Sequence, residues 1–528
     1  MTRRVRATRY SVLILLILAT ISAAAIARWC MASGLGISSD SVIYLSAADS
    51  LSAGHGFRSI GNHFTPAIAE HEPLVIFPPA YPLLLSLSGW LSDNRLNGAR
   101  WLHTILFAAN ICLVGIIVSL STAKSVRAIL CAILFFLSSA TLFELHTMAW
   151  SEPPFILFLL LAVLLLILHL RTPGYVLLVA SSLATSLALT TRYAGVTILA
   201  PMVLTIFLIG NRPIRSRVRD ALILVGIGIL PLAIWLVGNF AESGSATKRS
   251  MAIHPIGFSD LSNITSSLLV FWVPFSGPLI IKILLLLICG ALVLTGVVLA
   301  LRDRECGDSR EQSGQLNAAA LMLTSFFVIT YLLFLVVYNS LTDPAVELSS
   351  RVLSPVYVFG IILVFSLLHR LSRPGKGKKL AWGVFLFLVA LLSGNILHTV
   401  AFAVERHRNG RGYTSREWAG SESVKYLEGL PESRPVYSNG IDVSHFLAKK
   451  EVLRLPAKSD PSNGKKKNAE FEQEMNTLRN QLIQDRAVVV YFDKITWRWY
   501  LPTRDELEHA YGLPVLSRLD DGVVFGVK

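Results

Sequence analysis

The chain has 528 residues, a mean hydropathy of +0.57 and only 16% charged residues, where a soluble protein of this size carries about a quarter. Repeated apolar runs of about 17 residues or more point to a multi-spanning α-helical membrane protein. The net charge of +14 could suggest nucleic acid, but its distribution excludes that partner. From Glu405 onward 20 Lys/Arg stand against 18 Asp/Glu; the other 28 basic and 16 acidic residues sit mostly in short loops between apolar runs. That pattern orients a protein in a bilayer.

The N-terminus, MTRRVRATRY followed by SVLILLILATISAAAIA, has signal-peptide features, including a small-residue stretch open to cleavage. The further apolar runs favour an uncleaved first span. Eleven crossings are predicted, at 10–28, 100–120, 128–148, 153–170, 174–190, 193–210, 220–238, 278–301, 318–338, 352–369 and 380–402. The apolar run 76–91 is shorter and opens with Phe77-Pro78-Pro79, so it is expected to lie along the interface. Charge supports that choice. With 76–91 not crossing, the basic clusters at 3–9, 124–127, 212–219, 302–310 and 370–379 all fall on one side. If it crossed, the bias would reverse. The N-terminus is therefore expected in the cytoplasm and the first loop, 30–99, outside the cell (inner or plasma) membrane. Glu144, Glu152, Arg192, residues 239–277 and 339–351, and the tail then share the outer face.

The chain divides into a transmembrane domain, 1–404, and a small extracytoplasmic α/β domain, 405–528. In the tail, short β-type runs at 435–439, 451–455 and 487–492 alternate with helical stretches. Phe471, Met475, Leu478 and Leu482 recur at helical spacing, and Asp521-Gly522 separates two β-like runs as in a hairpin. Ser438, Asp442 and His445 lie near one another, but no nucleophile-elbow pattern frames them as a hydrolase triad. The five cysteines form no CxxC pair, and neither a disulfide framework nor a zinc site is implied.

The long first outer loop is where the polar residues concentrate. Residues 41–53 read as an amphipathic helix with Ile43, Tyr44, Ala47, Ala48 and Leu51 on one face, and Gly54 closing it. Asp40 stands at its start, where a carboxylate commonly caps the helix. That role is compatible with chemistry, because a capped carboxylate stays ionised and fixed.

The loop resembles that of GT-C-fold membrane glycosyltransferases. The likeness rests on Asp40-x-x-x-Tyr44, the stretch Leu51–Phe57, and Phe77-Pro78-Pro79-Ala80-Tyr81-Pro82-Leu83. Ala149-Trp150-Ser151-Glu152-Pro153, Arg192-Tyr193-Ala194-Gly195 and Ser350-Arg351-Val352-Leu353-Ser354-Pro355 match further motifs of that family, with Val352 replacing the usual aromatic. The bacterial relatives are family-39-like enzymes akin to protein O-mannosyltransferases and the lipid A aminoarabinose transferase. The resemblance covers about residues 5–400. It implies inverting transfer of a sugar from a polyprenyl-phosphate donor to a glycan, lipid or protein acceptor at the outer leaflet.

On that resemblance Asp40 and Glu152 are the candidate catalytic residues, Asp40 as the base and Glu152 to position the acceptor or, as the lesser alternative, bind a metal. Arg192 and Arg351 are candidates to bind the donor phosphate, which suits guanidinium geometry. Tyr44, Asp49, His55, Glu70, His71, Glu72 and Tyr81 are candidate acceptor or loop contacts. No metal ligand set is expected, since Glu70-His71-Glu72 has no zinc-site spacing; no cofactor is called for, and a divalent cation is left open. Residues 239–277 are a candidate lid over the donor groove. The rivals are a transporter or lipid-linked-saccharide flippase, which should show mid-membrane charges and paired broken helices, and a non-catalytic assembly partner that docks through its tail.

Overall fold

The computed structural model describes residues 2–60, 72–209, 212–251, 253, 257–272, 279–305, 312–343, 348–371, 378–460, 463–484 and 486–527. Each of the eleven predicted apolar segments is largely helical over its described residues, 128–148 being broken at 138–139 between two helices. Among the described residues, seven helices are long and apolar enough to cross a membrane. The count rises to eight if Val126–Leu137 and Ala140–Thr147, bent by 64° at their junction, form one broken span. Tyr175–Thr191, Tyr193–Ile209 and Gly290–Arg302 are apolar but shorter, so eleven crossings stands as an expectation from hydropathy. Ala80–Leu87 has eight residues, a length of about 12 Å at 1.5 Å per residue, far short of the ~30 Å hydrocarbon core.

Helices Arg95–Ser121, Glu152–Arg171 and Ser350–Leu371 form the buried centre of the bundle, whereas Ile214–Ser243 and Trp382–Asn409 keep most of their surface uncovered. Their outward residues, such as Leu222, Ile234, Val237, Leu386 and Leu397, are exposed and apolar, as a lipid-facing stripe requires. Small residues let helices approach: a Cβ on Gly115 would fall 2.4 Å from Leu16 Cδ2.

The tail folds around a five-stranded sheet in the order Val515–Leu519, Gly522–Gly526, Val488–Phe492, Val436–Ser438, Leu453–Arg454. The first three strands pair antiparallel; the last two extend the sheet in parallel. Helix Phe471–Gln484 packs Phe471, Met475, Leu478 and Leu482 into the domain's core. Asp521, in the turn of the hairpin, accepts hydrogen bonds from the hydroxyls of Ser421 and Ser423 and from the Ser423 amide. Burial alone would raise its carboxyl, but these bonds outweigh burial and hold it below the usual range. A depressed folded pKa stabilises above the unfolded value of about 3.9 and is lost as pH falls through the folded one. Asp521→Asn should therefore lower the melting temperature at pH 7, and the gap from wild type should shrink progressively below about pH 4.

Candidate active site

Two helix starts are placed side by side by a short backbone ladder. Gly36 forms a parallel bridge to Met148; its amide donates to the Thr147 carbonyl at 2.9 Å, and its carbonyl accepts from the Ala149 amide at 2.8 Å. A glycine suits this approach, because a Cβ on Gly36 would lie 2.2 Å from Met148 Sδ and 3.2 Å from the Thr147 carbonyl oxygen, so the methionine would have to move. Helix Ser39–Ser52 starts on one side of the ladder and Glu152–Arg171 on the other. Asp40 lies in the first turn of one and Glu152 in the first turn of the other, where the helix dipole favours an acid. Ser38, not Asp40, caps the first helix, through reciprocal contacts with Ser41. The Asp40 carboxylate is thus turned toward Arg351.

Four charged side chains close one cluster. Arg351 Nη1 donates to Asp40 Oδ2 at 2.7 Å, its Nε to Glu152 Oε1 at 2.6 Å, and its Nη2 to Glu152 Oε2 at 3.4 Å. Arg192 Nη1 donates to the same Glu152 Oε1 at 2.7 Å and to Ser151 Oγ at 2.9 Å. The Arg351 guanidinium also lies 4.2 Å over the Trp150 ring, whose Nε1 donates to Ser38 Oγ. Arg351 sits at a helix start, a poor place for a cation, so its carboxylate partners are what hold it there. Arg192 follows helix Tyr175–Thr191 in extended backbone, and Gly195 closes the turn against Ala188, where a Cβ would meet backbone at 2.8 Å.

Exposure separates the two acids. The Glu152 side chain is 1% exposed and that of Asp40 31%. Glu152 therefore acts as an internal clamp on both arginines, and Asp40 is the carboxylate of the cluster that opens onto solvent.

Two cavities meet at this cluster. A cleft of about 1060 Å³ runs between the helix bundle and the C-terminal domain, with Asp40, Trp150 and Arg351 on one wall and Trp418, Lys494 and Trp497 on the other. A smaller pocket of about 110 Å³ lies among the helices, lined by Tyr44, Arg192, Arg249, Tyr331, Phe334 and Tyr338, among others. The hydroxyls of Tyr44 and Ser151, both on the wall of this pocket, are 3.2 Å apart. Burial first, then the Asp40 charge, pushes the Tyr44 hydroxyl well above its usual range, so it stays neutral.

The other candidates are elsewhere. Asp49 pairs with Arg95 at 2.5 Å, Glu72 with Lys248 at 2.9 Å, and His55 lines a separate groove with Phe57 and Trp235. Tyr81 is buried, its hydroxyl 2.7 Å from His103 Nε2, and anchors the short helix. Glu70 and His71 lie outside the described residues, as do parts of the candidate lid at 252, 254–256 and 273–278. Sequence reading did not single out Arg249, nor Trp150 and Ser151, which directly precede Glu152 in a motif it did quote. Among the described residues no group of three or more His, Cys, Asp or Glu side chains is gathered as for a metal ion.

Comparison with solved structures identifies the architecture as the GT-C fold of membrane glycosyltransferases. The oligosaccharyltransferase AglB from Archaeoglobus fulgidus, in complex with an inhibitory peptide and a dolichol-phosphate, superposes with a TM-score of 0.53 at 12% identity, over 91% of this chain and 70% of that one. The mycobacterial arabinofuranosyltransferase AftD gives 0.50 at 13%, over 97% and 40%. ArnT from Cupriavidus metallidurans bound to undecaprenyl phosphate gives 0.49 at 12%, over 97% of both chains. No family model matches the sequence, and no curated protein matches it.

Proposed function

We propose that the protein is an inverting glycosyltransferase that moves a sugar from a polyprenyl-phosphate donor to an acceptor at the outer face of the membrane. The observation that carries this is the ionic cluster itself, with its one reachable carboxylate, standing between a polar interdomain cleft and a pocket among membrane helices. The pocket supplies arginines and phenol hydroxyls beside apolar Phe334 and Leu335, a chemistry suited to a phosphate on a lipid chain. AglB, which shares the fold, was captured with a dolichol-phosphate. The cleft would take the acceptor, glycan, lipid or protein.

In the reaction the acceptor oxygen or nitrogen attacks the anomeric carbon from the face opposite the phosphate. The new bond forms as the bond from carbon to phosphate oxygen breaks, and the acceptor's proton passes to Asp40. The polyprenyl phosphate leaves with the electron pair, its charge met by Arg192 and Arg249. The resident cluster holds two cations and two anions, so it is formally neutral until the donor phosphate enters; Arg249 adds positive charge to that side.

Against a flippase, the described cluster lies at helix ends, and among the described residues only one bent helix pair meets the criteria for a broken span. The test is transfer by the full-length protein in lipid nanodiscs, supplied with a panel of labelled polyprenyl-phosphate sugars and host envelope extract. Labelled product with at least one donor is expected; movement of the intact donor across vesicles without product would overturn the reading. Arg249→Ala should raise the donor KM about tenfold, roughly 1.4 kcal/mol, while leaving the acceptor KM unchanged.

A further inference from the structure

The sequence singles out Asp442 only to dismiss it as part of a triad, yet the structure gives it a definite place. Its side chain is 3% exposed and receives Arg498 Nη2 at 2.6 Å, from a guanidinium that is itself 2% exposed. The other oxygen, Oδ2, accepts the Tyr413 hydroxyl at 2.5 Å and the hydroxyl of Ser39. Ser39 is the residue immediately before Asp40, on the opposite side of the domain boundary from Asp442. Arg498 also donates to the Asn439 carbonyl at 2.7 Å, so the buried pair is anchored in the C-terminal domain on its own account.

A second set of bonds joins the same two segments through backbone. Ile37 forms a parallel bridge to Gly412, the Tyr413 amide donates to the Ile37 carbonyl at 2.8 Å, and the Thr414 hydroxyl donates to the Leu35 carbonyl at 2.8 Å. Gly412 has φ +58°, and a Cβ on it would lie 1.9 Å from that Ile37 oxygen. The segment 35–39 is therefore a middle rail. One edge carries the 147–149 segment that leads into Glu152, and the other carries the entrance to the C-terminal domain.

We propose that the Asp442–Arg498 pair, acting through Ser39 and the Gly412–Tyr413 backbone, positions Asp40 against Arg351 and Glu152. The C-terminal domain is thus part of the catalytic unit and not a separable docking module. Asp442 itself is a positioning residue, since its oxygens are taken by Arg498, Tyr413 and Ser39. A buried carboxylate with three donors is stiff, because each donor lost leaves a desolvated charge under-satisfied. Catalytic geometry is sensitive to displacements of about 1 Å, which can cost on the order of 100-fold in rate.

The structural half of this proposal stands without the transferase reading; its effect on rate rests on that reading, and the experiment separates them. In the full-length protein, Ser39→Ala and Asp442→Asn are compared with wild type by hydrogen exchange of peptides covering 35–45 and by donor-titrated transfer. Faster exchange across 35–45 is expected, together with a kcat at least about tenfold lower and a donor KM within roughly twofold. Ser39→Thr, which keeps the hydroxyl, should restore most of the rate. Should Asp442→Asn fail to fold, Ser39→Ala and Tyr413→Phe carry the test, each removing one hydroxyl only. Unchanged exchange across 35–45 in these two overturns the mechanical link, whatever the protein catalyses. Faster exchange with unchanged kcat overturns the catalytic role while the transferase assignment survives.

Discussion

Asp40→Asn should leave the protein folded and nearly abolish transfer. The pair it breaks is partly exposed, 31% on Asp40 and 25% on Arg351, so its removal costs about 0–1 kcal/mol. Arg351 keeps its two contacts to Glu152, at 2.6 and 3.4 Å, and Arg192 keeps its own to the same carboxylate at 2.7 Å, so the proposed donor side of the site stays assembled. The lost function is proton removal from the acceptor, for which general-base catalysis contributes roughly 10²–10⁴-fold. The expected result is a fall of that size in kcat, with donor KM and melting temperature close to wild type. Asp40→Glu separates charge from place: it keeps a carboxylate but extends it by one methylene toward Arg351. A partial loss of rate would then show that position counts as well as charge. Transfer by Asp40→Asn at the wild-type rate would remove Asp40 as the base and leave no reachable carboxylate in the cluster.

Much of this arrangement was legible in the sequence because membrane helices are read from hydropathy and length alone. Asp40, Glu152, Arg192 and Arg351 stand out as charges beside apolar runs, and charge asymmetry puts them on one expected face. What sequence did not reveal is how they are shared. Arg192 and Arg351 both turn to Glu152, 40 and 199 residues away, and such pairing follows from the packing of three helices rather than from spacing. The amphipathic reading of 41–53, which put Ser41, Ser46, Asp49 and Ser52 on the polar face, holds for Asp49 and Ser52, which are exposed, and fails for the two other serines. Ser41 and Ser46 are as buried as Ile43 and Tyr44, because small hydroxyl side chains can bond within the fold: Ser46 to the Ile43 carbonyl and the Ile60 amide, Ser41 to the helix cap. Hydropathy scores such residues as solvent-facing. Gly412 was equally silent, since its positive φ and its contact with Ile37 join residues 375 positions apart, and nothing local marks it. The hairpin at Asp521-Gly522 and the helix at 471–484 were legible because turn chemistry and periodicity are local.

Glu152→Gln should cost more stability than Asp40→Asn, and damage function in a different way. Both Glu152 oxygens are engaged by guanidinium groups, and the side chain is 1% exposed. Breaking a fully buried charge pair costs about 3–5 kcal/mol. Here the two arginines are 21% and 25% exposed, so solvent screens part of the loss and about 2–3 kcal/mol is the better expectation. The amide also presents an NH₂ where an oxygen had accepted, which sets a donor against a guanidinium. Arg192 and Arg351 would then face each other without the anion that holds them together. The donor phosphate is expected to meet misplaced cations, raising the donor KM by about tenfold or more, with kcat falling as well. A double-mutant cycle tests the cause. If the damage comes from unpaired positive charge, Glu152→Gln combined with Arg351→Gln should recover more than about 0.5 kcal/mol of stability relative to additivity, without regaining activity. Strict additivity of the two would mean that Glu152 supports the fold through packing of its helix start and not through the arginines it binds.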